Sequence, residues 1–231
     1  MPDGLIEPAP GIVISHGLGS GPEAFAYLAE HLASYGFAVV VPQHIGSDAE
    51  RRQAAVQGLL SSDVNPVEYL DRPHDISFVL DELERRSQTD PALQGKLDLQ
   101  NVGAIGHSFG GYAVLALAGA PLSIDRLQQS CANNQISFNA APSLQCLASR
   151  LPQFNYQLQD ERIKVVVAMS PITGILFGPE GMSQIPVPTM IMAGSKDIIA
   201  SVVQEQIHPF IWLTTPERIS IPICCLIWTF A

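Results

Sequence analysis

Short apolar runs recur along the chain, separated by longer stretches whose apolar residues keep to one helical face. GIVIS (11–15), FAVVVP (37–42), NVGAIG (101–106), IKVVVAM (163–169) and PTMIMAG (188–194) are rich in Val and Ile and bounded by Gly or Pro. Runs this short, apolar without alternation, predict strands buried on both faces. Between them, PEAFAYLAEHLASYG (22–36) spaces Phe25, Leu28 and Leu32 as one helical face and stops at Gly36. RPHDISFVLDELERRS (72–87) aligns Ile76, Val79, Leu80 and Leu83, with Pro73 suited to a first helical turn. SFGGYAVLALAGA (108–120) reads as a helix of apolar and small residues pressed against a sheet. Strands alternating with helices predict an α/β fold: a mostly parallel sheet with helices on both faces, as one domain over residues 1–231.

The segment 121–160 breaks this rhythm. It is polar, rich in Gln, Asn and Ser, and carries no strand signal. The expected structure is a cap or lid insertion above the sheet; the alternative is an ordinary surface insertion. Cys131 and Cys146 bracket part of it and are expected to approach each other, with a disulfide possible in an oxidising compartment.

Composition narrows the partners. With 47% hydrophobic and 15% charged residues the chain is globular, not disordered. A net charge of −10 argues against nucleic acid as a partner. The longest apolar run, ISIPICCLIWTF (219–230), is short for a membrane span and interrupted by Pro222, so no integral membrane segment is expected. The opening MPDGLIEPAPG shows no signal-peptide pattern, which leaves the compartment open. Four scattered cysteines suggest neither a disulfide scaffold nor a zinc site, and no His/Cys/Asp spacing suggests a metal. Asp48, Glu50, Asp63, Glu68 and Asp71 read as a solvated acidic loop face.

Chemistry concentrates where strands end. In GAIGHSFGG (103–111), Ser108 stands between Gly106 and Gly110 at a strand-to-helix junction. A G-x-S-x-G turn is so tight that the flanking glycines leave the serine hydroxyl exposed, and the N–H of Phe109 opens the next helix toward a developing oxyanion. A plain helix cap is the competing role for this serine. SHGLGSG (15–21) follows the first strand, and its Leu18 N–H is the candidate second oxyanion donor. Gly17 and Gly19 also begin a dinucleotide fingerprint, but Pro22 fills the third glycine position and the second strand ends without an acidic residue. Asp197, in AGSKDIIAS after the run 188–194, is the candidate acid of a Ser-Asp-His order; capping a following helix is its alternative.

These pieces carry a resemblance. VISHGLGS, LAEHLASYGFAVVVPQHIGSD, RPHDISFVLDEL, GHSFGGYA and PTMIMAGSKDIIA, as an ordered set from about residue 11 to about 215, resemble the α/β-hydrolase superfamily. Within it the chain is similar to dienelactone-hydrolase-like and platelet-activating-factor-acetylhydrolase-like serine esterases. The resemblance implies hydrolysis of a small-molecule ester or lipid through an acyl-serine, without a cofactor, in a family whose members are often exported. True dienelactone hydrolases carry cysteine where this chain has Ser108. A non-catalytic hydrolase-fold protein that binds acyl ligands is the rival expectation.

Two departures from the family stand out. The family has two further strands before the one leading to SHGLGSG, and its catalytic histidine follows a last strand that would here be RISIPICCLIW (218–228). No histidine follows His208, so the chain looks truncated or altered at both ends and is expected to be at best a feeble esterase. Of the six histidines, His16 is expected to be structural, His107 to point away from the hydroxyl, and His31 and His74 to be bland. His44 is expected near the cleft, and His208 is a weak candidate for the base.

Overall fold

The computed structural model describes residues 7–59, 64–132 and 140–214. Five strands form one all-parallel sheet: β1 (Ala9–Ser15), β2 (Ala38–Val40), β3 (Leu97–His107), β4 (Ile163–Met169) and β5 (Thr189–Met192). Their order is β2-β1-β3-β4-β5. All five lie where the apolar runs predicted them. β2 is shorter than its run because Pro42 cannot donate to a ladder.

Alternation along β1 sorts the core into two layers. Val13 faces a large cluster with Ile76, Leu80 and the whole of α4 (Phe109–Leu117). Ile12 and Ile14 face a smaller cluster with Phe25, Leu28 and Leu32 from the stretch before and within α1 (Ala26–Ser34). Helices therefore cover both faces, as expected for strands without polar alternation.

Four helical pieces complete the frame. α2 (Ala49–Val56) begins at Asp48, whose carboxylate accepts the Arg51 N–H at 2.8 Å. α3 spans Glu68–Thr89, α7 Gly178–Met182 and α8 His208–Trp212. Helix α3 starts a turn before the predicted position, which puts Pro73 in its interior and His74 beyond its first turn. A proline there removes the N–H that would bond the carbonyl four residues back, that of Tyr69. The Tyr112 hydroxyl donates to that carbonyl at 2.6 Å. A tertiary bond replaces the lost helical one.

The excursion at 121–160 holds α5 (Ile124–Ala132), α6 (Ala140–Leu147) and a 3-10 turn at Ala148–Arg150. Leu127, Ala141, Ala148, Leu151 and Leu158 are buried in the large cluster, so this segment shares the main core. Tyr69 Oη donates to the Leu144 carbonyl at 2.6 Å, tying α6 to α3. Cys131 and Cys146 form a disulfide with Cα atoms 5.6 Å apart, as their expected approach requires. Closing a loop of this length stabilises the fold by roughly 3 kcal/mol through the unfolded state. The candidate last strand 218–228, with Cys224 and Cys225, lies outside the described residues, as does Asp63.

Candidate active site

In a doubly wound sheet, ligands collect beyond the carboxyl ends of the strands, where strand order reverses direction. Here the reversal falls between β1 and β3. Those two strands end in SHGLGSG and in the Ser108 turn. Ser15 pairs in register with Gly106, which sets the two loops side by side.

Ser108 has φ 53° and ψ −113°, a left-handed backbone that costs a non-glycine residue about 1–3 kcal/mol. Its neighbours explain why the turn demands glycine. A Cβ on Gly106 would lie 2.2 Å from the Gly110 carbonyl oxygen, and one on Gly110 would lie 2.1 Å from that of Ser15. The turn is anchored by the Ser108 N–H donating to Met169 O at 2.9 Å, and its side chain is half-buried. Among the described residues the Ser108 hydroxyl has no hydrogen-bond partner and does not cap its helix. Phe109, as the first residue of α4, has an N–H without an intrahelical acceptor.

The glycine loop lies against this serine. A Cβ on Gly17 would come within 3.5 Å of Ser108 Cβ and 3.1 Å of His107 Nδ1. Leu18 is exposed, and among the described residues its N–H has no partner. Asp197 is half-buried after β5. Its Oδ1 accepts the N–H groups of Ile199 at 2.9 Å and Ala200 at 2.8 Å. That is cap-like bonding, but the following residues bend, and the next element is a π-helix at Val202–Ile207 rather than the α-helix that the capping alternative needs. Burial lowers the pKa of His107, and the negative charge of Asp197 partly offsets this, so the two lie within electrostatic range.

The histidines sort more sharply than the sequence allowed. His44 does not line the cleft: it is fully buried, its Nε2 bonded to Ser15 Oγ at 2.9 Å and its Nδ1 to Asp75 Oδ2 at 2.8 Å. Because a carboxylate only accepts, Nδ1 carries the proton and the Ser15 hydroxyl donates to Nε2. His16 is also fully buried; its Nδ1 donates to Gly17 O at 2.8 Å and its Nε2 accepts the His44 N–H at 3.1 Å. His31 lies against Tyr35 and His208 against Trp212 with their rings tilted, while His74 is exposed. None of the six imidazoles hydrogen-bonds to Ser108.

The alpha/beta hydrolase family matches residues 12–217, nearly the whole described chain. This chain belongs to the alpha/beta hydrolase family. No curated protein matches it. The family assignment fits the strained serine turn at the reversal point of a parallel sheet.

One part of this candidate site escaped the sequence reading. Arg72 is fully buried and makes no ion pair with a described carboxylate. Its Nη1 donates to His16 O at 2.6 Å, its Nε to Ser47 Oγ at 2.9 Å and its Nη2 to Ser47 O at 3.3 Å. Its guanidinium carbon sits 4.4 Å from the centre of the Phe109 ring. Burial lowers its pKa to about 10. The available signal was a charged residue on the apolar stripe of α3, between the buried Tyr69 and Ile76. The acidic loop face also needs correction. Asp48 and Glu68 are buried, Asp48 by its capping role and Glu68 beside Ser47, where burial raises its pKa.

His16 makes stability pH-dependent. Burial holds its pKa at about 4, below the ordinary 6.5. Between those values the unfolded chain binds a proton that the folded chain refuses, so stability falls as pH falls. The unfolding free energy measured in urea is expected to fall by roughly 2 kcal/mol between pH 7 and pH 4.5 through this residue. His16→Asn removes that part of the slope; an equally steep slope in the variant would contradict the assignment.

Proposed function

We propose that the chain is a serine hydrolase acting on carboxylic esters, of small molecules or lipids, through an acyl-serine intermediate. The observation that carries this reading is Ser108, held at φ 53° with a hydroxyl that has no partner among the described residues, beside two N–H groups that likewise have none. Ser108 Oγ attacks the ester carbonyl carbon and passes its proton to solvent water or a dissolved base as the C–O bond forms. The carbonyl oxygen takes the negative charge and accepts from the N–H groups of Leu18 and Phe109. Collapse breaks the bond to the leaving oxygen, which takes a proton from solvent and departs as the alcohol, and water then attacks the acyl carbon to release the acid and restore the Ser108 hydroxyl. Asp197 is the acid that would orient and charge-balance a base. The segment 121–160, tied down by its disulfide, serves as the cap over this site. The dienelactone-hydrolase-like and platelet-activating-factor-acetylhydrolase-like esterases are the subfamilies this reading favours.

A biotinylated fluorophosphonate tests it. The expected adduct maps by mass spectrometry to Ser108 and disappears in Ser108→Ala. A folded wild-type chain that never forms the adduct rejects the enzyme reading. A second reading, a non-catalytic hydrolase-fold protein that binds acyl ligands, is favoured by one observation: no imidazole bonds to Ser108.

A further inference from the structure

The peptide between Gly17 and Leu18 is gripped by its carbonyl. Gly17 O accepts from His16 Nδ1 at 2.8 Å, and Arg72 Nη2 approaches it at 3.5 Å. The preceding carbonyl, His16 O, is held by Arg72 Nη1 at 2.6 Å. In a trans peptide the C=O and the N–H point in opposite directions, and the described chain has no cis bond. Drawing Gly17 O inward toward Arg72 and His16 therefore turns the Leu18 N–H outward.

His16 can hold this carbonyl in only one tautomer. The His44 N–H occupies the Nε2 lone pair, which leaves the proton on Nδ1. His44 is itself fixed between Ser15 Oγ and the Asp75 carboxylate. Arg72 also lies over the ring of Phe109, the residue whose N–H is the other donor beside Ser108 without a partner among the described residues. One buried guanidinium thus touches both segments that bear the two donors. A buried cation bonded to three carbonyls and one hydroxyl, with the Glu68, Asp75 and Asp48 charges near but not paired to it, is a costly arrangement for packing alone.

We infer that Arg72 and His16 are positioning residues that fix the Gly17–Leu18 peptide with its N–H directed at the oxyanion formed on Ser108, by holding the Gly17 and His16 carbonyls on the opposite side. This inference rests on the reading of Leu18 as an oxyanion donor. It predicts that loosening the clamp leaves ligand access unchanged and slows the chemical step.

The test uses the full chain with Arg72→Met, which keeps an apolar stem over Phe109, and Arg72→Lys, which restores one charged donor. Crystal structures of wild type and Arg72→Met report the direction of the Gly17–Leu18 peptide. The rate of Ser108 phosphonylation by a fluorophosphonate reports its consequence. The expected result is a rotated peptide and a maximal labelling rate lower by about 10²-fold, with the half-saturating probe concentration little changed and partial recovery in Arg72→Lys. A peptide that stays in place, or a loss seen only in probe binding, overturns the inference. If wild type takes no probe while the peptide rotates in Arg72→Met, the nucleophile reading fails and the positioning assignment stands. Should Arg72→Met not fold, His16→Phe, which removes the Nδ1 donor to Gly17 O together with the Nε2 acceptor of the His44 N–H, carries the same two readouts.

Discussion

Gly110→Ala is expected to destroy the fold, although it adds a single methyl group. That methyl carbon would stand 2.1 Å from the Ser15 carbonyl oxygen and 2.8 Å from that of His16. Both obstacles are backbone, so no rotamer change relieves them. Relief requires parting β1 from the start of α4, and α4 is buried over its whole length. A cost above about 4 kcal/mol is expected, enough to unfold a marginally stable domain. Gly36 provides the contrast. Its φ is 90° with nothing within 4 Å of a built Cβ, so Gly36→Ala meets backbone strain alone, about 1 kcal/mol. Soluble yield, circular dichroism and urea unfolding of the two variants would separate these outcomes. A Gly110→Ala chain as stable as Gly36→Ala would refute the packing described for the serine turn.

The same turn shows why part of the molecule was legible in its sequence. Gly106, Ser108 and Gly110 meet a local requirement, and local requirements leave local patterns. The five strands were legible for a similar reason: a strand covered on both faces has nowhere to put a polar residue, so it appears as an unbroken apolar run. The start of α3 was not legible. Pro73 marks a helix start by every nearby signal, and its tolerance within the helix depends on the Tyr112 hydroxyl, a partner far along the chain. Arg72 was hidden by the same misplacement, because a first-turn arginine reads as solvated. The π-helix that follows Asp197, where its capping alternative needed an α-helix, also has a non-local cause. The Glu205 carboxylate accepts the N–H groups of Thr173 at 2.7 Å and Gly174 at 2.8 Å, holding residues 202–207 against the loop after β4 as a π-helix.

The remaining large effect concerns the proton that Ser108 must lose. A serine hydroxyl at neutral pH is a weak nucleophile until a neighbouring base accepts that proton. The chain has six histidines, all within the described residues, and none bonds to Ser108. His16 and His44 are committed at both ring nitrogens to the buried network beneath the glycine loop. Losing the imidazole from a Ser-His-Asp set costs on the order of 10⁶-fold in turnover, while the oxyanion donors keep a residual rate above that of water. This 231-residue polypeptide is therefore expected to hydrolyse p-nitrophenyl acetate slowly, in a manner that depends on Ser108. Free imidazole in the buffer should raise the Ser108-dependent part of the rate in proportion to its concentration, because the half-buried hydroxyl is accessible to a small base. Ser108→Ala should keep only the background reaction of imidazole with the ester. Fast turnover without added imidazole would mean that one of the six histidines, or another group, reaches the hydroxyl in solution. Asp197→Asn then becomes informative: with no imidazole to orient, it should change the slow rate less than about tenfold, against the roughly 10⁴-fold loss that the same change causes in an intact triad.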